Sequence, residues 1–464
     1  MSKLKLTIFL FIFIAFFSLI TNIEAFSSSL NKVNEAIKKG NFIKAVNRWH
    51  ALSDRDKKSP LGTLLAGKLE WWKGNPIGAE RYYYSLFRLK DKKIMAEALI
   101  GIATIEVANG RFKNAETHAR FALKFNSALP MGWYLLSLAL EGQNRRGEAA
   151  IAFEKFLELK PKDYPANIFA ENGKGFPHKL AVLALRTIPA IEGPAWDEVD
   201  LLNPSYYPVI KVKTGKRELK ALLDLSWKND VIINKSLLRK MKIKSVKAAP
   251  GPFPPTPRTK PIKFLNSISL GKISLAQLLV SPNSPSSKSN EWDIIIRTGL
   301  FNPYGIRLDF TRKKCLIGDL HLAPTYKNIT GVPFITLGGR LLVNTMLEGK
   351  KVFMMVDTTR TQTILSTIFV KNELSKDKYI LKEFRETKNN LTKVYSLPEV
   401  KEVNIELMKI KKKLRNIGAR PEVDDFSDNV GFHIGGILGM DFLSQFESVE
   451  VDYGSHTMLF VDKK

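Results

Sequence analysis

One cysteine, Cys315, occurs in 464 residues. A single thiol excludes an internal disulfide framework and every cysteine-rich zinc pattern. Histidine is scarce too: six, at positions 50, 118, 178, 321, 433 and 456, with no ligand spacing. No dedicated metal site is expected, and no cofactor is implied. Acidic residues are few beside basic ones, 45 against 72, a formal net charge of +27. That balance fits nucleic acid, an anionic membrane surface or a lysine-biased genome, and does not choose among them. Beyond the N-terminus no run is apolar for long enough to span a bilayer. What is present is an ordinary globular composition, 44% hydrophobic and 25% charged, which argues against wholesale disorder. The length predicts about three domains.

The first 25 residues read as an export signal. Lys3 and Lys5 give a positive start, and Leu6 to Ile20 runs without a charge. Ala25 is small enough for the last position before a cleavage site. The rival is an uncleaved anchor, since the apolar stretch of about 18 residues reaches the lower limit for spanning a bilayer. Either way the rest of the chain is expected outside the cytoplasm, in the periplasm or cell envelope, because the positive end stays inside. Nucleic acid is then not an expected partner.

Residues 28–165 repeat. Gly40-Asn-Phe-Ile-Lys-Ala45, Gly74-Asn-Pro-Ile-Gly-Ala79, Gly110-Arg-Phe-Lys-Asn-Ala115 and Asn144-Arg-Arg-Gly-Glu-Ala149 share one register, with alanines 34, 36 and 34 apart. Pro130 and Pro165 lie 35 apart, close to the same step. Each unit has an apolar stripe at helical spacing, a Gly or Asn turn, and a second amphipathic stretch. The alanine lets the second helix approach the first, and the Gly or Asn supplies the turn backbone. The period and the helix-turn-helix unit resemble the tetratricopeptide repeat. The resemblance implies a surface that docks a protein partner. Trp71, Trp72 and Tyr82-Tyr83-Tyr84 are either anchors there or packing between repeats.

Helical periodicity fades over residues 166–204, which read as a linker with breakers at Gly193-Pro194 and Asn203-Pro204. From Tyr207 short β-rich runs dominate, and they too repeat. Ala221-Leu-Leu-Asp224-Leu-Ser matches Met354-Met-Val-Asp357-Thr-Thr, and Pro208-Val-Ile-Lys matches Pro333-Phe-Ile-Thr. Downstream, Ile294-Ile-Ile-Arg-Thr-Gly-Leu300 matches Ile437-Leu-Gly-Met-Asp-Phe-Leu443. Each half places one acid at the end of an apolar strand.

Asp357-Thr358 after Met354-Met355-Val356, followed some eighty residues on by Ile437-Leu438-Gly439, resembles the retropepsin-like aspartic protease family. The resemblance implies a multidomain α + β chain: an N-terminal helical solenoid, then two all-β lobes of acid-protease fold over 205–320 and 326–464. With both lobes on one chain no obligatory homodimer is needed. It further implies a polypeptide substrate or ligand in a cleft between the lobes and an Asp224/Asp357 dyad. Ser226, Thr358 and Thr359 would support that dyad. Such an aspartic-type hydrolase needs two carboxylates sharing one proton, because like charges about 3 Å apart cannot both ionise.

The motif departs from the family's Asp-Thr/Ser-Gly. Asp224 is followed by Leu225 and Ser226, and Asp357 by Thr358 and Thr359. Leu225 lacks the hydroxyl that would reach across the lobes. Both glycines, which would let backbone pass close to the carboxylates, are gone. Arg360 near the second acid favours full ionisation over proton sharing. Ile296 stands, by this alignment, where the second half has Gly439. Two readings follow: an active endopeptidase, or a catalytically inactive scaffold of the same fold that binds extended peptide. The flap hairpin of the second lobe is expected between Lys376 and Leu397. In the first, the Ala249–Pro257 run is a polyproline-type linker or a rigid lid. The basic run Lys409 to Arg415 is either a solvated strand face or a contact for anionic lipid. Cys315 reads as core packing.

Overall fold

The structure is a computed structural model that describes residues 29–39, 41–159, 190–203, 206–228, 230–233, 235–241, 243, 245–246, 262–281, 291–388 and 391–463. The N-terminal signal, the Gly40 turn, Pro165 and the Ala249–Pro257 run lie outside the described residues. Among the described residues no helix is long and apolar enough to cross a membrane.

The first part is helical, and its pairs follow the sequence period. Helices Pro60–Trp72 and Pro76–Ser85 form one pair, Lys92–Ala108 and Phe112–Phe125 the next, Pro130–Gly142 and Arg146–Leu159 the third. Helix Phe42–His50 is the second member of an earlier pair. Gly74, Gly110 and Asn144, at the turns, all adopt left-handed backbone, as helix C-terminal turns require. Ala45, Ala79, Ala115 and Ala149 are each fully buried, so the period marks where paired helices come closest. Tyr83 is packing between repeats, since its ring lies against Gly67 and Gly101 of two neighbouring helices.

The second part is β-rich. Its first set of strands is β1 (Ala190–Glu192), β2 (Trp196–Asn203), β3 (Tyr207–Thr214), β4 (Arg217–Asp224), β5 (Val231–Ile233), β6 (Ser245–Val246), β7 (Ile262–Leu270), β8 (Ile273–Ser281) and β9 (Ile294–Arg297). Then come β10 (Gly305–Asp309) and β11 (Lys314–Gly318). The second set is β12 (Ile329–Leu337), β13 (Arg340–Leu347), β14 (Lys350–Val356), β15 (Ile364–Ser366), β16 (Tyr379–Lys388), β17 (Leu391–Leu407), β18 (Ile410–Arg420) and β19 (Gly436–Leu438), closed by β20 (Phe446–Asp452) and β21 (Thr457–Asp462).

One set of pairings occurs twice. In the first half β3 and β4 are antiparallel, β4 and β9 parallel, β9 and β5 antiparallel, β5 and β8 parallel, and β8 and β7 antiparallel. In the second half β13, β14, β19, β15, β18 and β17 repeat that sequence of orientations in that order. Between the halves runs an antiparallel sheet in the order β2-β11-β10-β20-β21-β12. Its middle seam is β10 on β20, one strand from each half. A single buried apolar cluster runs from Leu201 to Phe460 through both halves. Cys315, on β11, is fully buried in it, and burial pushes its thiol pKa up.

Three sequence readings are corrected or narrowed here. The 166–204 linker ends earlier than its composition suggests, because β1 pairs with β8 and β2 with β11 and β3. From Val199 to Leu202 burial alternates along β2, a half-buried strand pattern that the flanking Pro and Gly obscure. Trp71 and Trp72 do not face a free groove. Trp71 sits 4.8 Å from Phe432, and Trp72 lies between Phe42 and His433. The basic run is paired: Lys411 with Glu406, Lys412 with Asp462, and Lys413 and Arg415 with Glu402. Three of these four pairs run between β18 and β17, the arrangement of a solvated strand face.

The turn edge of the repeats therefore docks on the β-rich part. The His433 amide donates to the Trp72 carbonyl at 2.6 Å, and the Thr336 hydroxyl to the Ala108 carbonyl at 3.4 Å. At Gly110 there is no room for a side chain: a Cβ would lie 2.1 Å from the His456 ring. That ring is itself boxed in by Phe334 and Trp227 and cannot give way. Gly215 has a similar left-handed backbone, with nothing among the described residues within 4 Å of its missing Cβ. Gly110→Ala is expected to cost well over about 1 kcal/mol, and Gly215→Ala only its backbone strain of about 1 kcal/mol. Equal losses in thermal unfolding would refute the close approach at Gly110.

Candidate two-acid site

Asp224 ends β4 and Asp357 follows β14. Each strand is buried because it is flanked on both sides inside its half, by β3 and β9 or by β13 and β19. Both acids are nearly buried, 2% and 5% exposed. They act on each other and on the same guanidinium, that of Arg340. The structure thus brings together the two acids that the internal repeat singles out.

Thr358 bridges the halves. Its hydroxyl donates to the Leu223 carbonyl at 2.7 Å and accepts from the Leu225 amide at 3.0 Å. The reciprocal bond is missing because Leu225 has no hydroxyl. A different cluster fills that side. The Thr298 hydroxyl donates to the Asp224 carbonyl (3.1 Å), accepts from the Ser226 amide (3.3 Å) and touches the Tyr453 hydroxyl. Tyr453 in turn donates to the Ser226 carbonyl at 3.1 Å. Ser226 donates its own hydroxyl to the Asp224 carbonyl, at 3.3 Å, not to the carboxylate. Thr359 supports its acid directly, donating both amide (2.9 Å) and hydroxyl (2.6 Å) to Asp357 Oδ1.

Arginine surrounds the pair. Arg340 Nη1 lies 3.2 Å from Asp224 Oδ1 and 3.3 Å from Oδ2. Arg297 Nε is 3.6 Å from Asp224 Oδ2, while its Nη1 holds Asp230 at 2.8 Å. Arg360 Nε is 3.4 Å from Asp357 Oδ2, and its Nη2 reaches Glu422 at 2.8 Å. All four carboxylate oxygens of the two acids therefore face donors or cations from the chain itself. Burial still pushes the Asp224 pKa up, with the Asp357 charge adding to it and Arg340 and Arg297 opposing it.

The strand register corrects the alignment at Gly439. In the second half Val356 pairs with Leu438, so Gly439 lies level with Asp357. In the first half Leu223 pairs with Ile296 and Asp224 with Arg297. Arg297, not Ile296, stands where Gly439 does. Gly439 is needed where it is, since a Cβ there would lie 2.6 Å from the Gln362 backbone. Arg340, Arg297 and Asp230 were not among the sequence candidates. Arg340 follows the Gly338-Gly339 turn between β12 and β13, and the Gly339 carbonyl accepts from the Trp227 amide at 3.1 Å. That cross-half contact has no local sequence signal; only the one-residue shift in the register could have exposed Arg297.

The expected hairpin between Lys376 and Leu397 is present as β16 and β17, paired from Tyr379↔Val400 to Lys388↔Leu391. Phe384 on it lies under the Arg420 guanidinium at 5.2 Å. In the first half only the base of the matching excursion is described, where Ser245-Val246 pairs with Ile262-Lys263. Among the described residues no cluster of His, Cys, Asp and Glu could hold a metal ion.

No family model matches the chain, and no curated relative matches it at a significant level. Among solved structures, the chain is similar to an aspartic proteinase from Irpex lacteus, at 12% identity and TM-score 0.36, over 58% of this chain and 98% of that one. It is similar to a retropepsin-like aspartic protease from Rickettsia conorii, at 17% identity and TM-score 0.19, over 29% of this chain and 96% of that one. It is also similar to MamA from Desulfovibrio magneticus RS-1, at 16% identity and TM-score 0.27, over 35% of this chain and 84% of that one. Likenesses this distant say nothing of activity.

Two outcomes test the site. Thr358→Val leaves the Leu225 amide and Leu223 carbonyl without their partner and is expected to cost about 2 kcal/mol, whereas Thr358→Ser keeps most of that stability. Arg340→Gln removes a cation from a buried acid pair and is expected to cost about 3 kcal/mol at pH 7. The Asp224 pKa is raised in the folded state, so its ionised form is the destabilising one there. The Arg340→Gln loss should therefore shrink as pH falls and Asp224 takes up a proton. Thermal unfolding across pH 4–7 reads this; a loss that grows on acidification contradicts the assignment.

Proposed function

We propose that residues 190–463 are a bilobal, retropepsin-like module whose cleft holds an extended polypeptide. At neutral pH it does so without cleaving it. The observation that carries this reading is the seating of Arg340 on both oxygens of Asp224, with Arg297 and Arg360 beside the pair. Aspartic-type hydrolysis needs a water between two carboxylates and one shared proton. Here a guanidinium takes the place at Asp224 where that water would be activated. The repeated pairings support the two lobes, with the hairpin β16–β17 as the flap of the second.

A second reading is an acid endopeptidase using the Asp224/Asp357 dyad, and two observations favour it. Half of the cross-lobe hydroxyl bonding survives at Thr358. Burial and the neighbouring acid also raise the Asp224 pKa, the direction that holding a shared proton requires. The pair would titrate as a unit.

In the same reading the chain works outside the cytoplasm, in the envelope, and its repeats dock a partner protein. The N-terminal signal pattern supports the first point. The second is supported by the exposed Ile43, Ile77, Phe121 and Ile151, each on the second helix of its pair, while the turn edge is occupied by the β-rich part. An open hollow beside Ile77, Arg81 and Tyr84 likewise lies on the repeats.

The test is peptide cleavage and peptide binding by residues 26–464 from pH 3 to 7, with Asp224→Asn, Asp357→Asn and a pepstatin-type inhibitor. The first reading expects binding of extended peptides at pH 7 with no cleavage of a broad library. Cleavage at acidic pH, abolished by either Asn variant, establishes the second reading instead. Neither binding nor cleavage sinks both.

A further inference from the structure

His456 lies where three parts of the molecule meet. It sits in the β20–β21 hairpin, held in left-handed backbone by the Asp452 carboxylate, which accepts from the Gly454 and Ser455 amides. Its carbonyl accepts from the Phe334 amide at 3.0 Å. Its ring stacks on Phe334 at 5.1 Å, packs on Trp227 at 4.5 Å and meets Phe112 of the repeats at 6.1 Å. Gly110 presses on its other side. The Nδ1 atom is buried and has no hydrogen-bond partner among the described residues.

Two of those neighbours lead straight to the acids. Trp227 is the third residue after Asp224, and its amide is bonded to Gly339, the residue before Arg340. Phe334 lies on β12, the strand that runs into the same turn. We propose that His456 is an acid-sensitive lock that joins the helical repeats to the Trp227 loop and the Gly338–Arg340 turn, and that its protonation loosens both contacts together.

The chemistry is that of burying a cation in an aromatic box without an acceptor. Burial pushes the His456 pKa down to about 4 from an ordinary 6.5. Charged residues adjoin its contacts in sequence, Arg111 and Lys113 beside Gly110 and Phe112 and Lys228 beside Trp227, with Asp452 in its own hairpin; β12 carries none. Asp452 favours protonation, but less than burial opposes it. The sign follows. Above pH 6.5 the ring is neutral whether the contact is closed or open. Between 6.5 and about 4 the open form takes a proton that the closed form refuses, so the closed contact weakens about tenfold per pH unit, by roughly 300-fold in all. His433, at the Trp72 contact, is shifted in the same direction by burial, with Asp424 and Glu373 opposing.

The lock does not depend on whether the cleft cuts peptide, and its readout is backbone exchange, not activity. Hydrogen exchange of segments 110–116, 226–228 and 334–341 is followed in the full chain between pH 7 and 4. At each pH the wild type is compared with His456→Phe and His456→Gln, so that intrinsic exchange cancels. The expected result is equal protection at pH 7 and a progressive loss in the wild type relative to the variants below pH 6.5. A wild-type-to-variant ratio that stays flat with pH overturns the proposal. Should neither variant fold, the His456 ring resonance in 13C-histidine-labelled wild type decides. Titration near 4 with concerted loss of protection upholds the lock, and titration near 6.5 removes it.

Discussion

Two like charges buried within reach of each other set the terms for everything around them. Asp224 and Asp357 arrive together because two sheets of one design each end a buried strand in a carboxylate. Leaving both ionised in an apolar interior is untenable without compensation. This chain compensates with its own guanidiniums, Arg340 and Arg297 at Asp224 and Arg360 at Asp357. A hydrolytic pair would compensate by sharing a proton and a water. The choice between those two solutions is what separates a cutting cleft from a holding one.

Arg340 enters that balance from the second half of the chain while its carboxylate belongs to the first. The turn that delivers it is pinned by the Trp227 amide, and Trp227 belongs to the loop that leaves Asp224. The ion pair is therefore held by both of its ends at once. The same loop leans on His456 and on the repeats through Phe112. Stability of the acid centre, docking of the repeats and the protonation of one buried imidazole are linked through a few side chains in contact.

Much of this was legible from residue order. The 34-residue step marked the helix pairs because small residues are the only ones that fit at helix crossings, and Ala79 and Ala115 are at those crossings. The matching strand-acid segments marked the two acids because each half must bury its central strand the same way. The arginines were not legible. Arg340 acts across 116 residues of chain on Asp224, and no spacing rule connects them. Arg297 was hidden by a one-residue slip in aligning Ile294-Ile295-Ile296 with Ile437-Leu438, an ambiguity that a run of like apolar residues creates and only hydrogen-bond register resolves. The strands at 190–203 were missed because Pro and Gly flank them closely on both sides.

The seam of β10 on β20 has a kinetic consequence. It joins Gly305 to Asp452 and Asp309 to Ser448, contacts that enclose most of the second half between them. The helix pairs, by contrast, close over a few dozen residues. Local contacts form early and distant ones late, so the repeats are expected to be folded while β10 still presents an unpaired edge. During that interval the aromatic dock at Trp71 and Trp72 is already formed and waiting for Phe432 and His433. The helical part is then expected to be a folded surface that the β-rich chain meets before that seam closes.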